Sequence, residues 1–168
     1  LREGKILIDE KNINDVKNSW QSKIGYIPQD IYILDDSIRN NIIFNNEDNT
    51  NINKDLKNVI DISQLNKLID SLSDGLDTKV GDRGINISGG QRQRIAIARA
   101  LYHKPDVLVF DEATNSLDEI TENNLMDSIY AIKGKNIIII SHNIKTLNRC
   151  EKIFKIESKS IKEIKKIN

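Results

Sequence analysis

Two short apolar runs that flank a helical segment constrain the fold most strongly. Residues 107–110 read Val-Leu-Val-Phe and residues 137–140 are four isoleucines, so neither run alternates with polar residues. Between them, Leu125, Ile129 and Ile132 recur at the spacing of one helix face. Uninterrupted apolar strands are typical of parallel sheets that are buried on both faces, and a strand–helix–strand order gives a right-handed crossover. The sequence therefore predicts an α/β fold with a parallel sheet.

The clearest single helix begins after Ser88. Ser88 and Gln91 have the spacing of a capping box, in which each side chain bonds the backbone N–H of the other residue. Ile95, Ala98 and Leu101 then recur at helical spacing. We therefore expect a helix that starts at this cap and buries an apolar face.

The remaining elements are predicted from shorter signals. A second capping-box spacing, at Ser116 and Glu119, predicts the start of the helix between the two apolar runs, and Gly134 predicts its end. Further strands are predicted at residues 5–9 and 24–27, helices at 37–44, 55–62 and 64–72, loops at 45–53 and 73–87, and edge strands in the tail at 152–168.

Ionisable residues follow both apolar runs directly. Asp111 and Glu112 come after the first run, and Ser141 and His142 come after the second. Ligands of parallel α/β sheets bind at the carboxyl ends of the strands, so we expect these residues on one rim. Two adjacent carboxylates suit phosphoryl transfer, with one at Mg²⁺ and the other orienting a water. The alternative is that the carboxylates are solvent-facing strand ends and that His142 is structural.

Ser88, Gly89, Gly90 and Gln91 form a candidate anion site. A helix N-terminus presents free N–H groups and a positive dipole end, and two glycines permit a phosphate to approach the backbone. The alternative is a flexible loop with a good helix cap. Gln29 follows a short predicted strand, where a neutral amide can bind a metal or position a water; a loop glutamine is the simpler interpretation.

The composition excludes several classes of protein. The chain has 25 Lys and Arg against 25 Asp and Glu, and this zero net charge gives no electrostatic case for a nucleic-acid partner. One cysteine, Cys150, excludes an internal disulfide. No apolar run approaches the ~18 residues of a membrane helix.

The chain begins at Leu1 and its only methionine is Met126, so we expect a piece of a longer polypeptide.

Five motifs in this order resemble the ABC ATPase family, and the resemblance covers essentially the whole chain. The motifs are Gly25-Tyr26-Ile27-Pro28-Gln29 (Q-loop), Ile87-Ser88-Gly89-Gly90-Gln91 (signature), Val107-Leu108-Val109-Phe110-Asp111-Glu112 (Walker B), Ser116-Leu117-Asp118 (D-loop) and Ile140-Ser141-His142 (switch histidine). Ile87 stands where the family commonly has Leu. The P-loop, Gly-x-x-x-x-Gly-Lys-Ser/Thr, is absent from the sequence.

The resemblance implies a P-loop NTPase (RecA-like) core with a parallel sheet and an inserted α-helical signature subdomain, the N-terminal part being truncated. The core is expected at about residues 1–29 and 106–168 and the helical subdomain at about 30–105. Residues 37–42 and 80–84 resemble the exporter-type stretch and the exporter X-loop, which touches the coupling helices. We therefore expect the exporter branch of the family.

The resemblance also implies ATP and Mg²⁺ as cofactors and a role for each motif. Glu112 is expected to be the general base, Asp111 to support Mg²⁺, and His142 to contact the γ-phosphate. Gln29 is expected to help bind Mg²⁺ and the attacking water and to couple to the transmembrane part. Asp118 is expected to communicate between the two sites of a dimer.

The implied partners are a second nucleotide-binding domain and a transmembrane domain, the latter expected upstream in the same polypeptide. Ser88, Gly89, Gly90 and Gln91 would contact the ATP of the opposite subunit in a head-to-tail dimer at the cytoplasmic face of the cell membrane. Without a P-loop, we expect these residues alone to bind ATP weakly and to hydrolyse it negligibly. The alternatives are a soluble ABC ATPase outside transport, acting on ribosomes or DNA, and a catalytically inactive interaction module.

Overall fold

The computed structural model describes residues 4–44, 52–82 and 85–166. Most of the predicted loop at 45–53, together with Arg83 and Gly84 of the X-loop, lies outside the described residues. None of the helices in the described ranges combines the length and the hydropathy of a membrane span.

The first described elements are a small hairpin and a helix. Strands β1 (Leu7–Ile8) and β2 (Lys11–Asn12) pair antiparallel, and helix α1 (Ile13–Gln21) follows directly. The strand predicted at residues 5–9 is therefore shorter than expected, because Asp9 and Glu10 adopt positive φ angles of 46° and 66° and turn the chain. Helix α1 was not predicted, although the Asn12 side chain caps it by accepting from the N–H of Asn14 at 3.0 Å.

The remaining elements follow in chain order. They are β3 (Ile24–Ile27), β4 (Asp36–Ser37), α2 (Ile38–Ile43), α3 (Ile52–Ile62), α4 (Asn66–Asp70), a 3₁₀ turn (Gly75–Asp77), β5 (Lys79–Val80), α5 (Gly89–Tyr102), β6 (Val107–Asp111), α6 (Glu119–Tyr130), β7 (Asn136–Ile140), α7 (Ile144–Leu147), β8 (Ile153–Glu157) and β9 (Ser160–Ile164).

The central sheet is parallel, as predicted, in the order β3-β6-β7. Ile27 pairs with Phe110, and Asp111 pairs with Ile140, so the carboxyl ends of the three strands meet at one edge. One face of the sheet is well packed, since Leu108 and Phe110 are 0% and 1% exposed. This edge and this packed face position the residues that carry the candidate chemistry.

The expectation that β7 is buried on both faces was wrong. Ile138 and Ile140 are 51% and 49% exposed, and Tyr26, which the register places on the same side of the sheet, is also exposed. Val107, on the same side of the sheet, is 7% exposed, so this face is open toward its carboxyl edge and covered at its other end. The four consecutive isoleucines therefore alternate between a partly packed side and an open side.

Helix α5 is the centre of the helical part of the fold. Ile95, Ile97, Ala98 and Tyr102 are buried, and α2, α3 and β3 pack around the helix. A helix that is apolar on most sides requires neighbours on most sides. Its capping box is present as predicted: the Ser88 Oγ accepts from Gln91 N, and Gln91 Oε1 accepts from Ser88 N.

The predicted start of α6 was wrong by two residues. The cap is Asp118, whose side chain accepts from the N–H of Thr121 at 2.9 Å, and not Ser116. Ser116 instead donates its N–H to Gln93 Oε1 at 3.2 Å, so a tertiary contact fixes its backbone. The helix also ends earlier than predicted, at Tyr130, and Gly134 turns the chain at a φ of 73°.

The predicted loop at 73–87 and the tail contain small sheets. Strand β5 lies in the loop and pairs antiparallel with β4, so that Val80 opposes Asp36. In the tail, β8 and β9 form their own antiparallel hairpin, where edge strands had been expected.

Candidate functional site

The Walker B strand ends in a turn that separates two carboxylates. Asp111 is the last residue of β6, and Glu112 has a positive φ of 49° while its N–H donates to the carbonyl of Ile140 at 2.9 Å. A glutamate in this left-handed conformation is unusual and marks a sharply turned backbone. The turn ties the end of β6 to the end of β7, the strand that carries the candidate histidine.

Glu112 and His142 are in direct contact. His142 Nε2 lies 3.0 Å from Glu112 Oε1, and Asn115 Nδ2 donates to Glu112 Oε2 at 3.0 Å. The Glu112 side chain is 20% exposed, whereas that of His142 is 91% exposed. The carboxylate is therefore held from two sides and partly withdrawn from solvent, while the imidazole faces outward. This arrangement can accept a proton at Glu112 and present a donor at His142.

Asp111 is held by a residue of the neighbouring strand. The hydroxyl of Tyr26 donates to Asp111 Oδ2 at 2.6 Å, and this hydrogen bond raises the pKa of Tyr26 above its ordinary value. Tyr26 and Asp111 belong to the same side of the sheet by the strand register. The second carboxylate oxygen of Asp111 makes no hydrogen bond within the described part of the chain.

The residues at this edge of the sheet fit a Mg²⁺ ion whose coordination a bound nucleotide would complete. The described ranges contain no cluster of three or more His, Cys, Asp or Glu side chains that could hold a metal. Mg²⁺ is commonly bound by one or two carboxylates together with waters and substrate phosphates, so a cluster is not required. Asp111 offers one oxygen of the right kind at the carboxyl edge of the sheet.

Gln29 lies two residues after the end of β3 and is exposed. Because β3 is parallel to β6, Gln29 follows the same edge of the sheet as Asp111. Its predicted contact with Mg²⁺ and water remains a prediction.

The signature residues lie at the start of α5 and pack against the D-loop. A Cβ added at Gly90 would lie 3.0 Å from the carbonyl oxygen of Ser116 and 3.1 Å from Leu117 Cδ2, and one added at Gly89 would lie 3.3 Å from Ser116 Cβ. All three distances are shorter than ordinary van der Waals contacts. The two glycines thus pack closely against the D-loop inside this domain, and a side chain at Gly90 would press on the backbone of Ser116.

Ser88 precedes this packed first turn of the helix, and it is exposed to solvent. Asp118 is also exposed, and hydrogen bonds from the Thr121 N–H and hydroxyl lower the pKa of its carboxyl. In the described residues, no hydrogen bond or ion pair joins Ser88, Gly89 or Gly90 to Glu112 or His142. The predicted site residues therefore form two groups: the edge of the sheet, and the signature with the D-loop.

Tyr26 and Asn115 were not predicted as site residues. A partial signal for Tyr26 existed, since it stands three residues before Gln29 on a strand that runs toward the same edge. Asn115 lies three residues after Glu112 in a turn, and no spacing rule selects it.

A cavity of about 450 Å³ lies beside β3 and α5. It is lined by residues that include Pro28, Tyr32, Phe44, Arg99 and His103. The Arg99 guanidinium stacks over the Phe44 ring at 5.1 Å. Burial and the nearby Arg99 charge lower the pKa of His103, which favours a neutral imidazole at this wall.

The model of the ABC transporter family matches residues 1–115, more than half of the chain. A putative export ATP-binding/permease protein of Rickettsia prowazekii is 41% identical over 92% of this chain. A multidrug resistance ABC transporter ATP-binding and permease protein of Lactococcus lactis is 38% identical over 94%.

A solved structure shares the fold. The structure of a bacterial Atm1-family ABC exporter with ATP bound matches 90% of this chain with a TM-score of 0.83 and 34% identity. This chain spans 27% of that exporter chain and 27% of each of the two relatives named above.

The fold, with this match, places the domain in the P-loop NTPase class. The chain belongs to the ABC transporter family. Its relatives include export ATP-binding/permease proteins, so the prediction of the exporter branch is confirmed, and the soluble ATPase and the inactive module are not favoured.

Proposed function

We propose that this domain binds ATP with Mg²⁺ and that ATP hydrolysis powers export by the transporter of which it forms a part. The contact between Glu112 and His142 at the edge of the sheet carries the proposal. The motif Gly-x-x-x-x-Gly-Lys-Ser/Thr is not among these residues. The proposal therefore concerns the protein in which a P-loop accompanies them.

Glu112 acts in this proposal as the general base. Its carboxylate is fixed by His142 and Asn115 and is only 20% exposed, so its orientation is set by the protein. It accepts the proton of the water that attacks the γ-phosphate. Bound Mg²⁺ would neutralise charge on the phosphates, and Asp111, together with Gln29, would hold it on the protein side.

His142 has a complementary role. Its side chain projects into solvent, with one nitrogen at Glu112, and is therefore accessible to a nucleotide phosphate. A donor at this position stabilises charge that develops on the γ-phosphate.

The signature would act on the nucleotide of a second domain. Ser88 caps α5, and Gly89, Gly90 and Gln91 are its first residues; the N-terminus of this 14-residue helix favours an anion. Ser88 is exposed and its site is separate from Glu112. A head-to-tail dimer would bring the signature of one domain to the ATP of the other, with Asp118 at the border between the two sites.

The cavity beside β3 is proposed as the contact with the transmembrane part. Tyr32 and Phe44 line it and are 75% and 44% exposed, and Pro28 joins it directly to Gln29. A helix inserted there would therefore press on the Q-loop. In this arrangement the core comprises about residues 1–29 and 106–168, the helical subdomain about 30–105, and the domain lies at the cytoplasmic face of the membrane.

The test is the ATPase rate of the intact protein with Glu112→Gln. Glutamine keeps the shape of the side chain and cannot act as a base, so we expect kcat to fall about 10²–10⁴-fold with ATP binding retained. Glu151→Gln changes an exposed carboxylate that belongs to none of the motifs; it is the matched control and should leave the rate unchanged. Normal turnover of the Glu112→Gln protein would refute the assignment.

A further inference from the structure

One carboxylate on α6 joins the segments that follow β6 and β7. Glu122 Oε1 accepts hydrogen bonds from Thr114 Oγ1 at 3.0 Å and from Thr146 Oγ1 at 2.9 Å. Asn143 Nδ2 lies 3.4 and 3.3 Å from the two carboxylate oxygens of Glu122. Three side chains from two different segments thus converge on a single group.

The two threonines depend on this carboxylate. Thr114 and Thr146 are only 7% and 6% exposed, so their hydroxyls need an acceptor inside the protein. A shared acceptor fixes the distance between the two segments as well as satisfying each hydroxyl. The Tyr130 hydroxyl, also on α6, donates to the carbonyl of Thr146 and holds α7 from a second point.

Each segment carries one of the two residues of the candidate site. Thr114 follows Glu112 by two residues. Asn143 follows His142 directly and caps α7, the helix that contains Thr146. Displacing α7 from Glu122 would therefore carry His142 away from Glu112, to which it is now 3.0 Å distant.

We propose that Glu122 is a positioning residue that sets the distance between Glu112 and His142. This inference rests on the proposed ATPase function. Glu122 acts through Thr114 on the turn of the general base and through Thr146 and Asn143 on the segment of the histidine. It is not expected to touch the nucleotide.

A second glutamate on the same helix provides a matched control. Glu119 also reaches from α6 to α7, where its Oε1 lies 2.6 Å from Lys145 Nζ, but the two side chains are 69% and 78% exposed. Exposed pairs of this kind contribute little. Glu119 makes no hydrogen bond to either threonine. Comparing Glu122→Ala with Glu119→Ala therefore separates the effect of the hydrogen bonds to Glu122 from the effect of any contact between α6 and α7.

The experiment measures kcat and, separately, the Kd for ATP in the intact protein. For Glu122→Ala we expect kcat to fall about 10- to 100-fold, the size of effect that a displaced catalytic group produces, with the Kd for ATP unchanged. Glu119→Ala should retain both values. Equal losses in the two variants, or a normal kcat in Glu122→Ala, would overturn the proposal.

Epistasis with His142 separates positioning from a general loss of structure. In a His142→Ala background the histidine is already gone, so only the loss that acts through Thr114 on the turn of Glu112 should remain, and Glu122→Ala should reduce kcat by clearly less than it does alone. Independent effects would instead multiply to within about twofold, and that result would overturn the proposal.

Thr146→Val serves if Glu122→Ala does not fold. Valine keeps the shape of threonine and removes only the hydroxyl bonded to Glu122. We expect a several-fold loss of kcat that disappears in the His142→Ala background, and a normal kcat would overturn the inference. The proposed function itself would fail if the unmodified protein showed no ATPase activity, or if the Glu112→Gln protein retained that activity. That result is distinct from a Thr146→Val substitution that leaves kcat unchanged, which would overturn only the role of Glu122.

Discussion

Replacing Arg99 with Met should destabilise the domain because Arg99 completes the end of a neighbouring helix. The Arg99 Nε donates to the carbonyl of Asn41 at 2.7 Å. Asn41 lies in the last turn of α2, where carbonyls lack partners within the helix, and it is 0% exposed. Arg99 also donates to Asn41 Oδ1 at 3.0 Å and to the carbonyl of Tyr32 at 3.1 Å.

The magnitude follows from which acceptors remain without a donor. In the Arg99→Met protein, the side-chain oxygen of Asn41 still accepts from Leu34 N, and the backbone carbonyl of Tyr32 can bind water. The buried backbone carbonyl of Asn41 is therefore the acceptor that loses its donor. An unpaired buried acceptor costs about 1–3 kcal/mol, and a hydrogen bond from a charged donor contributes a similar amount. Because methionine is uncharged, folding of the variant does not have to remove a guanidinium from water, and this offsets part of the lost stability. We expect a net destabilisation of about 2 kcal/mol.

Thermal unfolding of the domain checks this value. For a domain of about 150–250 residues, 1 kcal/mol shifts Tm by about 2–4 °C, so Arg99→Met should lower Tm by about 4–8 °C. Arg149→Met is the matched control. Arg149 also stacks on an aromatic ring, 4.5 Å from Tyr130, but its side chain is 40% exposed and forms an ion pair with the exposed Asp127. Its expected loss is below about 1 kcal/mol. Equal shifts for the two variants would refute the reasoning.

Two further predictions concern the signature and the D-loop. Ser88→Arg adds a large cation at the exposed start of α5 and should abolish ATP-dependent association of two domains, measured by size-exclusion chromatography with Glu112→Gln present; unchanged association would count against the signature assignment. Asp118→Ala should lower the urea midpoint at neutral pH. Because hydrogen bonds lower the pKa of Asp118 in the folded state, this cap contributes above its unfolded pKa and fades as pH falls through the folded value. A difference between the two proteins that persisted in strong acid would contradict this explanation.

Sequence patterns predicted the elements whose information is local. The capping box of Ser88 and Gln91 involves residues three apart, and the apolar runs at 107–110 and 137–140 form neighbouring parallel strands. The placement of Asp111 and His142 at one edge follows from that parallel order alone. These predictions needed no knowledge of what packs on the sheet.

Features set by tertiary contacts were not predictable in the same way. The side chains of Ser116 and Asp118 can both cap a helix. Which of the two does so depends on Gln93, which lies 23 residues before Ser116 and accepts a hydrogen bond from its N–H. The exposure of Ile138 depends on whether another layer covers the sheet. Glu122 resembles any acidic residue in the first turn of a helix, until two distant threonines are seen to share it.

The most direct test of the central claim identifies the nucleotide that remains bound to the intact Glu112→Gln protein after incubation with Mg²⁺ and ATP. If Glu112 is the base and the rest of the site is intact, the protein should retain ATP that has not been hydrolysed, whereas the unmodified protein should release ADP and phosphate. Recovery of ADP from the Glu112→Gln protein, at the rate of the unmodified one, would contradict the account.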